Sequence, residues 1–589
     1  MEDGNNNNNN NTGEENQTGE MYQYNGEESN SNTEPQKNPI RGSQGQEVNP
    51  QNNYINNEQD LNNQQNAIRR SIGKENPNNA DFPNYGEKSS EQRLPQNVVE
   101  SQNPFLFNPG YNNQLQLNTN YFSKKEPKKY FYFSYIFIGF LQCLFIIIIG
   151  TAYEKRENLD FPYEYHFFKD VHLMIFVGFG LLYSSLKAHQ WSSIVIVLFS
   201  GIFSFEISFF WNYLWWNSFY NYSKGWERIN LGFEELIQID YFSASVLISL
   251  GVLIGKVSLN QILIIIISET FFASLNYYFC YKTIGAIDNG GSLYIYTFGS
   301  IFGFVIAVIA FYKQYDKINN NPYLSSNYYS NIISFIGSLF LWLYFPSFNT
   351  AKIQCKDDNE KVKEILRYRG IVNTYLSMIG STIGTFVLSP LVSKGRFIIE
   401  HLLNASFVGG IIIGGSCTIC SSAWAAILIG FIGGSLSVLG LWKVHKFFRE
   451  HKMDDTFGII FIFGIPGILG SILNSIFMGN FSNKAWDGVN INDIFHKNNS
   501  PSKQGGIQIL AILPTMAIAG ASGTLFGLLI KQTKCDSNQN YFVDSELFYE
   551  DENIPLAELK NSLYNNNIHL NSSGNKINIQ EKEVNIQNN

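Results

Sequence analysis

The chain has few charged residues, few histidines and too few cysteines for a disulfide framework. Only 15% of its 589 residues are charged and only eight are histidine. Its six cysteines are dispersed, which excludes a small disulfide scaffold. The one close pair, Cys417 and Cys420, lies in an apolar, glycine-rich stretch and favours packing between helices over a zinc site. The net charge of −8 excludes a global basic surface for nucleic acid.

The sequence also lacks the motifs of common enzymes. A phosphate-binding glycine loop, a zinc-protease helix motif and a nucleophile elbow are all missing from its polar stretches. Its glycine-rich runs fall within apolar segments instead. We therefore predict that the protein is not an enzyme, that it has no catalytic residues, and that it uses neither a cofactor nor a metal.

Aromatic residues are abundant, and they are concentrated in the middle of the chain. The mean hydropathy of −0.10 averages two unlike populations. Residues 1–128 begin with an asparagine run, Asn5 to Asn11, and residues 535–589 are similarly polar. Such Asn/Gln-rich sequence cannot offset the ~1–2 kcal/mol per residue that backbone ordering costs. We predict two disordered tails, 1–128 and 535–589, around a transmembrane domain at 129–534.

Apolar runs in the middle of the chain are long enough to cross a membrane, which takes about 20 residues. We predict an all-α membrane protein with about twelve transmembrane helices. The predicted spans are 131–152, 168–187, 192–216, 235–256, 259–281, 291–313, 329–346, 371–392, 399–418, 422–442, 457–479 and 507–530.

The distribution of lysine and arginine predicts that both termini are cytoplasmic. Basic residues precede the first span, follow the last one, and fill two further loops on the same side, at 394–396 and 443–452. One loop on the opposite side, Lys352 to Arg369, is also basic and opposes this assignment. The two tails contain no recognisable targeting signal that would identify the membrane.

Ionisable residues within the predicted spans are few, and their cost in hydrocarbon makes them candidates for function. Glu206 and Glu269 lie near the middle of their spans, and Asp240 lies near the end of another. Asp288 comes just before the span that begins at 291.

Several motifs, in order along the chain, resemble the Rh glycoprotein branch of the ammonium transporter family. The resemblance covers about residues 130–530, which is the whole apolar part of the chain. The matching segments are Asp170–Gly180, Gly255–Ser258, Asp288–Ser292, Thr297–Gly299, Leu339–Trp342, Pro346–Asn349, Asn373–Tyr375 and Gly464–Gly467.

The resemblance implies a fold, an activity and partners. It implies a helical bundle of two inverted halves with an extra N-terminal span, one pore per subunit, and assembly as a homotrimer or as a heterotrimer with related subunits. It implies ammonium or ammonia as the solute and the lipid bilayer as the surroundings, with the plasma membrane as the expected location.

By the same resemblance, Asp288 is the vestibule carboxylate that attracts or orients ammonium. Capping of the following helix is the alternative role for this residue, because an acidic side chain is favoured at a helix start. The two aromatic rings of the family's gate correspond to Tyr241 and Phe348. Tyr241 differs from the usual phenylalanine by one hydroxyl group.

The histidine pair of the family's pore is absent. The position eight residues after the conserved aspartate is Tyr296, and the position before Gly-Ile-Pro-Gly is Phe463. Imidazole can relay a proton near neutral pH, whereas phenol, with a reference pKa near 10, scarcely can and a phenyl ring cannot. The Rh blood-group polypeptides also lack the pair.

Three functions stay open at this point. The first is an ammonium/ammonia transporter or channel with an atypical pore. The second is a non-conducting scaffold or heteromer subunit, which the loss of both histidines favours. The third is a channel for a neutral gas such as carbon dioxide, which suits an apolar lumen.

Overall fold

The computed structural model describes residues 129–155, 164–220, 225–316, 324–354, 360–480, 494–495, 499–533 and 544. The described chain is overwhelmingly helical, so the predicted all-α membrane fold class is confirmed. The predicted tails, 1–128 and 535–589, lie outside these residues apart from Asp544. The Asp544 carboxylate accepts hydrogen bonds from the backbone N–H groups of Gln190 and Ser192, each at 2.8 Å, and so caps the helix that begins at Gln190.

Ten helical spans in the described part of the chain are long and apolar enough to cross a membrane. Helix α1 precedes them, and the short helices α9 and α10 interrupt their order. The elements are α1 Lys129–Ala152, α2 Glu164–Ser185, α3 Gln190–Tyr220, α4 Phe233–Leu253, α5 Leu259–Ile284, α6 Ser292–Phe311, α7 Tyr328–Thr350, α8 Glu360–Val392, α9 Ile399–Ala405, α10 Val408–Ile413, α11 Ala423–Glu450, α12 Ile460–Gly479 and α13 Pro501–Gln532.

Strands β1 Tyr153–Lys155 and β2 Ile229–Leu231 form a short parallel pair at one end of the bundle. Tyr153 pairs with Ile229 and Lys155 with Leu231. The Tyr153 hydroxyl donates to the backbone carbonyl of Phe209 on α3 at 2.6 Å. The end of α1 is thereby attached both to the segment before α4 and to α3.

The predicted span 399–418 is a broken helix. The interruption falls at Ser406 and Phe407, between α9 and α10. Helix α10 then gives way after Ile413 to a 3₁₀ turn at Gly414–Ser416, where glycine is a poor helix former. The backbone carbonyls freed by the break accept hydrogen bonds from buried amides on neighbouring helices. The Asn373 side chain donates to Cys417 O at 2.8 Å and to Cys420 O at 2.7 Å, and the Asn349 side chain donates to Gly410 O at 2.8 Å. Irregular backbone is stable at membrane depth only when protein groups satisfy it in this way.

Large apolar side chains cover the outer surface of the bundle. Exposed examples occur on α1, α8, α11 and α13, among them Phe140, Leu391, Trp424 and Leu513. Water would oppose so much exposed apolar surface, whereas hydrocarbon accommodates it. The protein is an integral membrane protein.

Glycines bring α8 and α11 into backbone contact. A Cβ atom at Gly430 would overlap the carbonyl of Ser377, and one at Gly434 would overlap the carbonyl of Ser381. Small residues at such crossings allow helices to approach closely, which is a main source of packing energy in a membrane.

We expect Gly430→Ala to destabilise the bundle by about 1–3 kcal/mol, since the added methyl group forces the two helices apart. Thermal unfolding of the purified protein in detergent measures the effect. Gly520→Ala is the matched control, because a Cβ atom there meets no other group within 4 Å. Equal melting temperatures for the two variants would contradict the assigned role of the α8–α11 crossing.

Candidate functional site

Asp288 begins the site, in the loop before α6. One carboxylate oxygen, Oδ2, accepts hydrogen bonds from the backbone N–H groups of Leu293 at 2.7 Å and Tyr294 at 3.0 Å. The left-handed backbone of Gly291, with φ of 73°, turns the chain into the helix. The other oxygen, Oδ1, is buried and has no hydrogen-bond partner among the described residues. Asp288 is therefore a helix cap with one acceptor left over.

A small cavity lies between Asp288 and the ring of Tyr241. Its volume is about 10 Å³, roughly the space that one water molecule needs. Asp288, Tyr241 and Gln238 line it, together with Tyr277 and Lys352. The Asp288 side chain thus borders a space that a water-sized solute can occupy.

Tyr241 on α4 and Phe348 on α7 lie in contact, as the sequence predicts for a gate. Their ring centroids are 4.8 Å apart and the ring planes are inclined by 39°. The Tyr241 hydroxyl donates a hydrogen bond to the backbone carbonyl of Phe348 at 2.6 Å. The hydroxyl by which Tyr241 departs from phenylalanine therefore ties the two rings together. Their role as a gate stays a prediction.

Tyr296 and Phe463 follow directly beneath Phe348. The Tyr296 ring centroid is 6.0 Å from that of Phe348 and 5.8 Å from that of Phe463. Both side chains are fully buried, and the Tyr296 hydroxyl has no hydrogen-bond partner in the described part of the chain. The two positions that replace the histidine pair are thus neighbours in space, although they are 167 residues apart in the sequence.

The rings continue beyond Phe463 toward the opposite end of the bundle. Phe179 follows at 5.9 Å, then Tyr183 at 5.7 Å and Phe457 at 4.9 Å, each distance between successive ring centroids. We call this set the aromatic column. Its seven members are Tyr241, Phe348, Tyr296, Phe463, Phe179, Tyr183 and Phe457. The sequence reasoning did not single out the last three, although Phe179 lies within one of the quoted motifs.

Asp455 stands at the far end of the column as a counterpart of Asp288. Its carboxylate accepts a hydrogen bond from the backbone N–H of Ile460 at 2.9 Å, at the start of α12. Each aspartate lies eight residues before a column ring, at 296 or 463, and three before a left-handed glycine, Gly291 or Gly458. This shared spacing, which a search for internal repeats could have found, agrees with two inverted halves.

The charges near Asp455 differ from those near Asp288. Burial raises the pKa of Asp455 to about 6. Burial also acts on its neighbour Asp454, but Lys256 prevails there and lowers the pKa. The Lys256 ammonium lies 2.7 Å from the Asp454 carboxylate. Burial raises the pKa of Asp288 to about 6 as well, so what distinguishes the Asp455 end is the ion pair beside the capping carboxyl group.

Comparison with known proteins identifies the fold. Residues 130–539 match the model of the Ammonium Transporter Family. The rat ammonium transporter Rh type B, from Rattus norvegicus, is 31% identical over 423 residues, which cover 68% of this chain and 88% of that protein. The Danio rerio ammonium transporter Rh type B is 32% identical over 414 residues, covering 66% and 86%.

The chain belongs to the ammonium transporter family.

Solved structures agree with this assignment at the level of fold. Rh50 of Nitrosomonas europaea has a TM-score of 0.53 and 24% identity, and the match covers 69% of this chain and 97% of that one. Mep2 of Candida albicans has a TM-score of 0.51 and 15% identity, with 64% and 88% covered. The family is one of membrane transporters and not of enzymes, so the prediction that the protein is not an enzyme is confirmed.

We expect Asp288→Asn to separate the two roles of this residue in the family fold. The amide oxygen can still accept the N–H groups that Asp288 caps, while the negative charge is lost. Asp288→Ala loses the cap as well, which typically costs about 1 kcal/mol. Thermal unfolding should therefore distinguish the alanine variant from the wild type but not the asparagine variant. Methylammonium uptake should fall in both variants, and unchanged uptake in Asp288→Asn would exclude attraction of the cation by this charge.

We expect Tyr241→Phe to loosen the contact with Phe348, because it deletes one hydrogen bond and keeps the ring. A typical net value of about 1 kcal/mol corresponds to a roughly fivefold rise in methylammonium uptake if ring separation limits it. Tyr153→Phe is the control, since it removes a similar 2.6 Å bond to the Phe209 carbonyl, away from the column and the Asp288 cavity. Equal uptake in the two variants would show that the Tyr241 hydroxyl does not restrain a gate.

Proposed function

We propose that the protein is an Rh-type ammonium/ammonia channel that conducts the uncharged molecule along the aromatic column. The observation that carries this proposal is the continuous run of seven rings between two buried aspartate caps in a bundle of the ammonium transporter family. The relatives named above are ammonium transporters, which supports ammonium and ammonia as the solute.

The Asp288 end favours a cation. The Asp288 carboxylate lines the cavity and attracts positive charge, and the faces of Tyr241 and Phe348 can hold a small cation before it enters the column. The entry side of the site therefore favours ammonium over uncharged solutes of similar size.

The column itself favours the neutral form. Tyr296 supplies one hydroxyl group there, and Phe463 supplies no polar atom. A bare cation among apolar rings loses its hydration without compensation, whereas ammonia carries no net charge. Ammonium therefore gives its proton back to water on the entry side, and ammonia passes along the rings.

Contact between successive rings means that passage depends on side-chain motion. Centroid separations of 5.8 to 6.0 Å around Tyr296 are those of aromatic rings in contact. A solute passes only when a ring rotates aside, and we expect the unit conductance to be low for this reason.

The same contact favours a second candidate, a non-conducting scaffold or heteromer subunit. A column that never opens would leave the protein as a structural member of a complex with conducting relatives. A channel for carbon dioxide is the remaining alternative, because apolar rings also suit that uncharged gas.

We further propose a homotrimer or heterotrimer in the plasma membrane, with both termini in the cytoplasm. The basic loops at 394–396 and 443–452 support this orientation, and the family resemblance supports the assembly.

Stopped-flow measurements on proteoliposomes test these candidates together. Ammonia entry raises the internal pH and carbon dioxide entry lowers it, so each flux has its own sign. Faster alkalinisation than in protein-free liposomes supports the proposed channel. Faster acidification by carbon dioxide, without faster alkalinisation by ammonia, supports the gas channel. If folded protein accelerates neither pH change, the scaffold is supported.

Restoring the histidine pair tests the importance of positions 296 and 463. Two imidazoles placed there would be neighbours, because the present rings are 5.8 Å apart. We expect Tyr296→His with Phe463→His to raise ammonium uptake well above either single variant, since proton relay needs both rings. Uptake is measured in cells that lack their own ammonium transporters, normalised to surface protein. If the double variant matches the wild type, these two positions do not limit transport.

A further inference from the structure

Two polar side chains of α2, Asp170 and His172, lie at the same level as the Tyr241–Phe348 pair. They are two residues apart, so they project from the helix about 200° apart and meet different neighbours. Helix α2 contacts both α4 and α7, the helices that carry the two rings. Both residues belong to the motif Asp170–Gly180, and neither lies in the aromatic column.

His172 contacts the residue that precedes Tyr241. Its Nδ1 atom lies 3.2 Å from both carboxylate oxygens of Asp240, whose side chain is completely buried. Since a carboxylate only accepts hydrogen bonds, we place the imidazole proton on Nδ1 as donor. Asp240 therefore has its partner on α2, and Tyr241, the next residue, projects toward α7.

The imidazole ring is itself held in place by aromatic neighbours. Its centroid is 4.5 Å from that of Phe176, 5.1 Å from Phe168 and 5.9 Å from Phe205. The His172 side chain is about one-third exposed, at 35%. A ring packed on three sides keeps its donor aimed at Asp240.

Asp170 contacts the residue that precedes Phe348. The Ser347 hydroxyl donates to the Asp170 carboxylate at 2.9 Å. This bond joins α2 to α7 in the same way that the His172–Asp240 pair joins α2 to α4. The Tyr241–Phe348 hydrogen bond then closes a triangle of three helices.

We propose that Asp170 and His172 are positioning residues for the gate, each fixing the residue beside one gate ring. A shift of α2 relative to α4 or α7 moves Asp240 or Ser347, and the adjoining ring follows because it is one peptide unit away. The two bonds from α2 thus act together with the Tyr241–Phe348 hydrogen bond to keep the rings in contact. This inference rests on the proposed function, since the ring pair acts as a gate only if the aromatic column conducts.

Variants that separate hydrogen bonding from packing test the proposal. His172→Phe keeps a ring among the aromatic neighbours and loses the donor. His172→Asn loses the ring and keeps an amide N–H near the position of Nδ1. Asp170→Leu and Asp170→Asn form the matching pair for the bond to Ser347. His166→Phe, an exposed position on the same helix, is the control.

A thiol under the gate reports ring separation without requiring conduction. Tyr296→Cys places it below Phe348, in a background where Cys143, Cys355 and Cys535 are serine. The measurement is the rate at which a membrane-impermeant methanethiosulfonate reagent modifies this cysteine. We expect His172→Phe and Asp170→Leu to accelerate modification about tenfold, the effect of losing one hydrogen bond to a charged group. His172→Asn, Asp170→Asn and His166→Phe should stay within about twofold of the parent.

The opposite ranking would overturn the proposal: fast modification in His172→Asn with a normal rate in His172→Phe means that ring packing matters and the donor does not. An unchanged rate in both His172→Phe and Asp170→Leu would overturn it as well. If His172→Phe fails to fold because Asp240 is left buried and unpaired, His172→Phe with Asp240→Asn replaces it, with the same expected acceleration. A parent protein without ammonia flux but with the expected thiol rates would reject the proposed channel and keep the positioning role.

Discussion

The structure depends on one constraint, that backbone polar groups cannot be left unpaired in hydrocarbon. Irregular backbone lies beside the aromatic column, at the turns before α6 and α12 and in the segment after α10. Buried side chains satisfy backbone groups in all three places. Asp288 and Asp455 accept the first N–H groups of α6 and α12, and Asn373 donates to the carbonyls at the end of the broken segment. These few polar residues allow an apolar column to be built.

The two aspartates also show which feature the two inverted halves have in common although their sequences differ. Asp288 and Asp455 share the spacing to a left-handed glycine and to a column ring, yet their surroundings differ. Each has one buried carboxylate oxygen without a partner among the described residues, but Asp288 lines a small cavity whereas Asp455 lies next to the Lys256–Asp454 ion pair. The repeated part is the cap that starts a helix, which either half requires. The charge around it is free to vary with what each end of the pathway faces.

Much of this arrangement could be predicted from the sequence, and the rest depends on contacts between distant residues. Apolar run lengths predict the spans because crossing the membrane fixes a minimum length. Motif order predicts that Tyr241, Phe348, Tyr296 and Phe463 share one pathway, and the structure brings their rings together. The sequence does not reveal the break between Ala405 and Val408, because an apolar run of this length is also typical of a continuous span. The Tyr241–Phe348 bond and the contacts of Asp170 and His172 were missed because their partners lie 68 to 177 residues away in the sequence.

The aromatic column and the polar contacts around its entrance have opposite effects on a cation, and this contrast bears on the choice among functions. Asp288, Asp240 and Asp170 place three carboxyl groups around the Tyr241–Phe348 pair, but Asp240 and Asp170 are directed to partners on neighbouring helices. Of these three residues, Asp288 is the one that lines the cavity. A cation can therefore be attracted as far as the first ring. From Tyr296 onward the rings offer a single free hydroxyl, so charge separation must occur before that point. A carboxylate at the entrance followed by an apolar column is the combination that passage of ammonia requires. A gas pore or a scaffold would need Asp288 only as the cap of α6 and would not need its charge.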